Sequence, residues 1–531
     1  MSLLKRLNTL SPEVLRNLQR GIEKESLRVR PDGTLANTPH PASLGSPLTH
    51  PHITTDFSES QLELITGVHT EIESCLEELR EIHQFVYRHI GDETLWCASM
   101  PCTLPADKDI PIGRFGTSNV GRAKTVYRKG LSYRYGSRMQ TISGIHYNFS
   151  LPERGWPPLQ QAAGVSGPVQ DFQDAAYFSL IRNFRRHSWL LLYLFGASPA
   201  VCSTFVEGRD HGLQPLVPGT LYLPWATSLR MSPLGYQSAA QGSLAVSYNN
   251  LDTYAHSLSG ALTHPYPGYE KIGIRDGDNY RQLSTTLLQI ENEFYGTIRP
   301  KRPIHPGERP LHALRERGVE YVEVRLMDLD PFSPIGITAA TIRFLDIFLL
   351  HCLLSDGPAD TPEEIVVLAR NQLLVARQGR DPGVRLLKGK LSLSPAEWGG
   401  ELLREYVPIA DALDAAHRTH AYGDALAAAG IALGMSSLAP SARVLQEMAQ
   451  NYANSFSRFG LARSLQFKKE LLELQLAPEV QSRSENMAAE SLQEQRRIEA
   501  ADTMPFEIYR QRYLSHDRLR ARRVNATTEK R

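Results

Sequence analysis

The chain has 531 residues, is 41% hydrophobic and 22% charged, and carries a formal net charge of +1. That length holds several ordinary domains or one large one. The near-neutral balance removes any general electrostatic case for a nucleic-acid or anionic-membrane partner. Five scattered cysteines without C-x-x-C spacing are the usage of a reducing compartment.

Residues 1–19 alternate apolar and polar side chains, so no signal-peptide core is expected. Ser11-Pro12 reads as an N-cap with a first-turn proline, and the helix it starts leads into a strand over 20–29. Pro31-Asp32-Gly33 closes that strand. Alternation puts Glu23 and Glu25 on one face and Ile22 and Lys24 on the other. Like charges on one face suit a solvated edge, or a place where hard cations sit between them.

A strand over 61–66 follows Asp56 and Phe57, and Ile72, Cys75, Leu76, Leu79, Ile82 and Val86 give helical spacing over 71–90. Residues 100–140 read as a long turn-rich stretch, and 140–150 as a strand. A mostly buried helix is expected over 171–195, then turns, aromatics and short strands over 216–300, and a strand over 318–325. From 336 onward the pattern is largely helical, with capping boxes starting at Thr361 and Ser394. The apolar stretches 189–197 and 342–354 are too short for a bilayer or carry Arg343, Asp346 and His351, so a soluble cytoplasmic protein is expected. The arginine-dense segment 509–531 reads as a basic flexible tail after a single catalytic domain over 1–508. The fold class is α+β.

Glu63, between Leu62 and Leu64, reads alone as an outward-facing charge. His146, between Ile145 and Tyr147, reads alone as a structural histidine. Glu323 and Arg325 share a face opposite Val322 and Val324, as a strand ion pair or as a metal ligand beside a phosphate clamp. Together the picture changes: four extended segments present carboxylate or imidazole from a face whose reverse is apolar. Oxygen and nitrogen donors beside an arginine suggest ATP chemistry with Mg²⁺. Neither a Walker nor a Rossmann glycine pattern supports it.

The runs RGIEKESLR (20–28), ITTDFSE (53–59), GTSN (116–119), MQTISGIHYNFSLP (139–152), LFGASPA (194–200), QIENEFY (289–295) and EYVEVR (320–325) closely resemble bacterial glutamate–cysteine ligase of the proteobacterial type. The resemblance runs in order from about 15 to beyond 460. It implies a glutamine synthetase-like catalytic fold, with an antiparallel sheet curved into an active-site funnel and helices around it. It also implies ATP-dependent joining of the glutamate γ-carboxyl to the amine of cysteine through γ-glutamyl phosphate, the first step of glutathione biosynthesis. A carboxylate–amine ligase with another amine, or a non-catalytic nucleotide-binding relative, are the alternatives. Glu23, Glu25, Asp56, Glu63, His146 and Glu323 would surround Mg²⁺ (with Mn²⁺ as a substitute), and Arg325 would meet the transferring phosphate. Arg230 would hold the acyl-phosphate or glutamate, and Arg128 a substrate carboxylate. Tyr127, Tyr236, Tyr295, Phe57, Leu131 and Gln140 would form the cysteine pocket. Glutathione is implied as a feedback inhibitor.

Overall fold

The computed structural model describes residues 2–235, 239–242, 244–305 and 307–519. Its main sheet has seven strands among those residues: β1 (Gln19–Val29), β2 (Ile53–Thr55), β3 (Gln61–Ile65), β4 (Thr94–Leu95), β5 (Ile145–Ser150), β6 (Ile298–Lys301) and β7 (Tyr321–Met327). The order is β6-β7-β5-β1-β3-β2, with β4 on the far end of β1, and every pairing is antiparallel. Long β1 is central because its length lets it pair β5 on one side and β3 on the other. β6 lies at the edge, where Pro300 removes no needed ladder donor.

Period-2 alternation divides the sheet into two faces. Ile22, Leu62, Leu64, Tyr147, Phe149, Val322 and Val324 are wholly buried on the back, each contributing roughly 1.5–3 kcal/mol by leaving water. Helices α1 (Ile72–His89), α2 (Asn119–Tyr135), α3 (Val169–Phe195), α4 (Leu251–Thr263), α5 (Ala339–Leu354), α6 (Pro395–His417) and α7 (Phe506–Leu514) build on this frame. α1 packs on β1 and β3, α3 on β6 and β7, and α5 on α3. Asp346, inside the apolar α5 stretch, accepts from Arg20 at 3.0 Å and from the Tyr147 hydroxyl at 2.6 Å, joining helix to sheet through a buried pair. No helix among the described residues is long and apolar enough to cross a membrane.

Several expectations change. The turn-rich stretch 100–140 contains α2, started by the Ser118 hydroxyl accepting from Gly121 N. α2 carries polar groups on its cavity side, which weakens its helical periodicity. The stretch 216–300 contains α4, started by a capping box at Asn250. The strand expected from 140 begins at Ile145, after a 3₁₀ turn over Met139–Thr141. Of the tail expected over 509–531, the described part is helical through Leu514 and packed, while residues 520–531 lie outside the described residues. The rings of Tyr509 and Tyr513 stack 5.9 Å apart, and Arg309, paired to Glu291, donates to Tyr513 O at 2.9 Å. Leu519 is buried. The arginine density hid these contacts, because Arg510 is satisfied by Glu507 and the Leu283 carbonyl.

Candidate active site

The polar face of the sheet is assembled by register. Glu23 stands opposite His146, Glu25 opposite Glu63, and Glu323 opposite Asn148. His146 Nδ1 lies 3.2 Å from Glu23 and 3.9 Å from Glu323, while its Nε2 lies 3.6 Å from Glu25. Asn148 donates to Glu23 at 2.9 Å, and Gly144 N to Glu25 at 2.8 Å. Arg325 reaches Glu323 at 3.2 Å and His146 Nδ1 at 3.5 Å. β6 adds Lys301, 3.3 Å from Glu323, which the sequence reading missed. The only signal for it was the alternation of Arg299 and Lys301 around Pro300.

Charge is unevenly shared across this floor. Burial, then Asp56, pushes Glu25 up to about 8 against the pull of Arg230 and Arg325. Burial, then Glu23, Asp56 and Glu25, holds Glu63 well above the usual carboxylate range. Glu323 goes the other way: burial opposes ionisation, but Lys301 and Arg325 hold it well below that range. Burial and Arg325 lower His146, keeping the imidazole neutral. A neutral imidazole among carboxylates, some ionised and some protonated, can exchange protons for cations.

A cavity of about 650 Å³ opens over this floor. Glu23, Asp56, Glu63, His146, Glu323 and Arg325 line it. Phe57, Tyr127, Leu131, Gln140 and Tyr295 line it as well, and Gln140 donates to the Tyr295 hydroxyl at 2.7 Å. Lys124 of α2, pushed down to about 8 by burial and Arg128, also lines the cavity, as do Tyr509 and Tyr513 from the C-terminal segment.

Some of the named residues sit elsewhere or are already engaged. Arg128 lines the cavity, yet its guanidinium donates to the Thr55, Asp56 and Lys124 carbonyls and stacks 4.2 Å over Phe115. It therefore holds the loop that carries Asp56. Arg230 is wholly buried and does not line the cavity; it donates to the Arg325 carbonyl at 2.7 Å. Glu25 is buried beneath the floor against Gly144 and His146. Tyr236 lies outside the described residues.

Fold and site define an α+β enzyme with a carboxylate-lined cavity beside fixed cationic side chains. The glutamate–cysteine ligase family profile matches residues 4–375. A glutamate–cysteine ligase of Alcanivorax borkumensis is 48% identical over 96% of this chain and 98% of its own length. One from Pseudomonas fluorescens is 49% identical over 92% of each chain. Among solved structures, a glutamate–cysteine ligase of Francisella tularensis in complex with AMP superposes with a TM-score of 0.87, at 37% identity over 94% of this chain and 97% of that one. A bifunctional glutathione synthetase of Pasteurella multocida gives 0.69 at 28% identity, with 88% of this chain matching 54% of that one. The chain belongs to the glutamate–cysteine ligase family.

Proposed function

We propose that the chain joins the γ-carboxyl of glutamate to the amine of cysteine. ATP first converts the carboxylate to γ-glutamyl phosphate; the amine then displaces phosphate, leaving γ-glutamylcysteine and ADP. This is the first step of glutathione biosynthesis. The observation that carries the reading is the convergence of Glu23, His146, Glu323 and Arg325, from three neighbouring strands, on the floor of one cavity. The antiparallel sheet under that cavity is read as the funnel of a glutamine synthetase-like domain.

The donor set fits Mg²⁺. Ligand atoms of Glu23, His146 and Glu323 lie within 4.8 Å of one another, and His146 Nε2 is buried without a hydrogen-bond partner. Glu25, Asp56 and Glu63 complete the set. Bound there, Mg²⁺ would supply neutralisation of phosphate oxygens. The chain's own residues do the rest. Arg325, always charged and held by Glu323, faces the transferring phosphoryl group. Lys301 adds positive charge on the same side. Arg230 acts on Arg325 through its carbonyl, as a positioning residue. Tyr127, Leu131, Phe57 and the Gln140–Tyr295 pair form a mostly apolar pocket for the thiol-bearing side chain. Cytoplasmic location and inhibition by glutathione belong to the same reading.

The test is ADP release with ATP, glutamate and cysteine, omitting each in turn. Release without cysteine, or preference for an amine lacking a thiol, refutes the assignment. Glu323→Gln and Arg325→Ala should each lower the rate at least about 100-fold with an unchanged circular dichroism spectrum. Near-normal rates in either variant would sink it.

A further inference from the structure

Away from the cavity, α3 and α5 bring together three side chains of another chemistry. One ligand atom each of His187, His351 and Cys352 lies within 4.8 Å of the other two. None of the three lines the active-site cavity. His351 and Cys352 are buried, and His187 is half-buried.

Three further observations point to a ligand. His351 Nε2 lies 2.8 Å from the Glu405 carboxylate of α6, which fixes the proton on that nitrogen and leaves Nδ1 as the lone-pair atom. The Nδ1 atoms of both histidines are buried without a hydrogen-bond partner. Finally, Tyr406 packs 4.7 Å from His351, Trp398 packs 6.5 Å from His187, and the Tyr406 hydroxyl and Trp398 Nε1 are themselves buried without partners. Buried polar atoms are nearly always paired, and each orphan costs roughly 1–3 kcal/mol. Two core histidines packed for shape alone would leave that cost standing.

We propose that His187 Nδ1, His351 Nδ1 and the Cys352 thiolate form a site for a borderline-soft divalent metal ion such as Zn²⁺, with Glu405 orienting His351. Nitrogen and sulfur donors exclude Mg²⁺ and match Zn²⁺. Tetrahedral binding would draw the three atoms to roughly 3.5 Å from one another, a side-chain adjustment. A thiol ligates as the thiolate, so the Cys352 proton passes to solvent as the metal–sulfur bond forms. The Glu405 side chain is 58% exposed, which gives a route in from solvent. The metal would pin α3 to α5 behind the sheet.

The experiment uses the full chain, stripped by chelation and titrated with Co²⁺ in excess Mg²⁺, which keeps the carboxylate floor occupied. A saturable thiolate-to-cobalt charge-transfer band should appear, be bleached by Zn²⁺, and release a proton. Cys352→Ser and His187→Ala should each abolish it, and Glu405→Gln should weaken Co²⁺ binding roughly 10–100-fold. Glu323→Gln, which disables the cavity, should leave it unchanged. A Cys352→Ser chain that fails to fold leaves the decision to His187→Ala and to the wild-type band. A wild-type chain with no band, a band that survives either ligand variant, or Co²⁺ held without thiolate character overturns the site and leaves a bridging water there. Loss of ligase activity would not bear on it.

Discussion

Lys24 is the residue between Glu23 and Glu25, and it points the other way. It is 3% exposed, and its ammonium lies 2.7 Å from His83 Nε2. His83 Nδ1 meets the Leu79 carbonyl at 2.6 Å, so Nε2 accepts and cannot share the charge as an anion would. Burial pushes Lys24 from 10.5 down to about 7. The unfolded chain therefore binds a proton more readily than the folded one. The penalty is full below pH 7, roughly 5 kcal/mol, fades as pH rises from about 7 towards 10.5, and is gone above that. Lys24→Met removes the charge at similar volume but leaves His83 Nε2 unpaired, which costs about 1–3 kcal/mol. The net expectation is stabilisation by about 2–4 kcal/mol at pH 6, reversing to destabilisation by pH 10. An unfolding entropy of about 2.1 cal/mol/K per residue makes 1 kcal/mol worth about 1 °C in this chain. Thermal midpoints of wild type and variant, compared from pH 6 to pH 10, should therefore cross. A difference independent of pH would refute the reasoning, as would destabilisation at pH 6. Activity should survive, because the Lys24 side chain is on the back of the sheet.

Two further outcomes follow from the same geometry. A Cβ at Gly144 would come within 2.6 Å of Arg230 Cζ, and Arg230 is wholly buried. Gly144→Ala should therefore cost about 1–3 kcal/mol and lower the ligase rate by disturbing Arg325; a normal midpoint and rate would contradict this. Mg²⁺ at about 100 times its dissociation constant should stabilise the wild type by about 2.7 kcal/mol, read as a midpoint rise of roughly 2–3 °C, whereas Glu323→Gln should lose most of it. An equal rise in both would detach the metal from the floor.

Much of the site was legible because strand alternation is local. A carboxylate, imidazole or guanidinium flanked by wholly buried apolar neighbours must face away from them, as Glu63, His146, Glu323 and Arg325 do. Helices with strong apolar spacing were equally readable: α1 and α3 lie within two residues of the expected bounds. α2 was missed because Lys124, Tyr127 and Arg128 serve the cavity rather than water, which breaks the amphipathic signal.

The sequence by itself determined which face each polar residue takes and, through its motifs, the family. Only tertiary structure decided what each face meets. Along β1 the pairing register sets Glu23 against His146 and Glu25 against Glu63, and Glu23 lines the cavity while Glu25 does not, though alternation treats the two glutamates alike. Arg230 lies off the cavity and donates to the Arg325 carbonyl, Lys301 reaches Glu323 from an edge strand, and Tyr509 and Tyr513 of α7 line the cavity. Alternation needs only neighbours in the chain; these placements depend on pairings between residues tens to hundreds of positions apart, which local pattern does not encode.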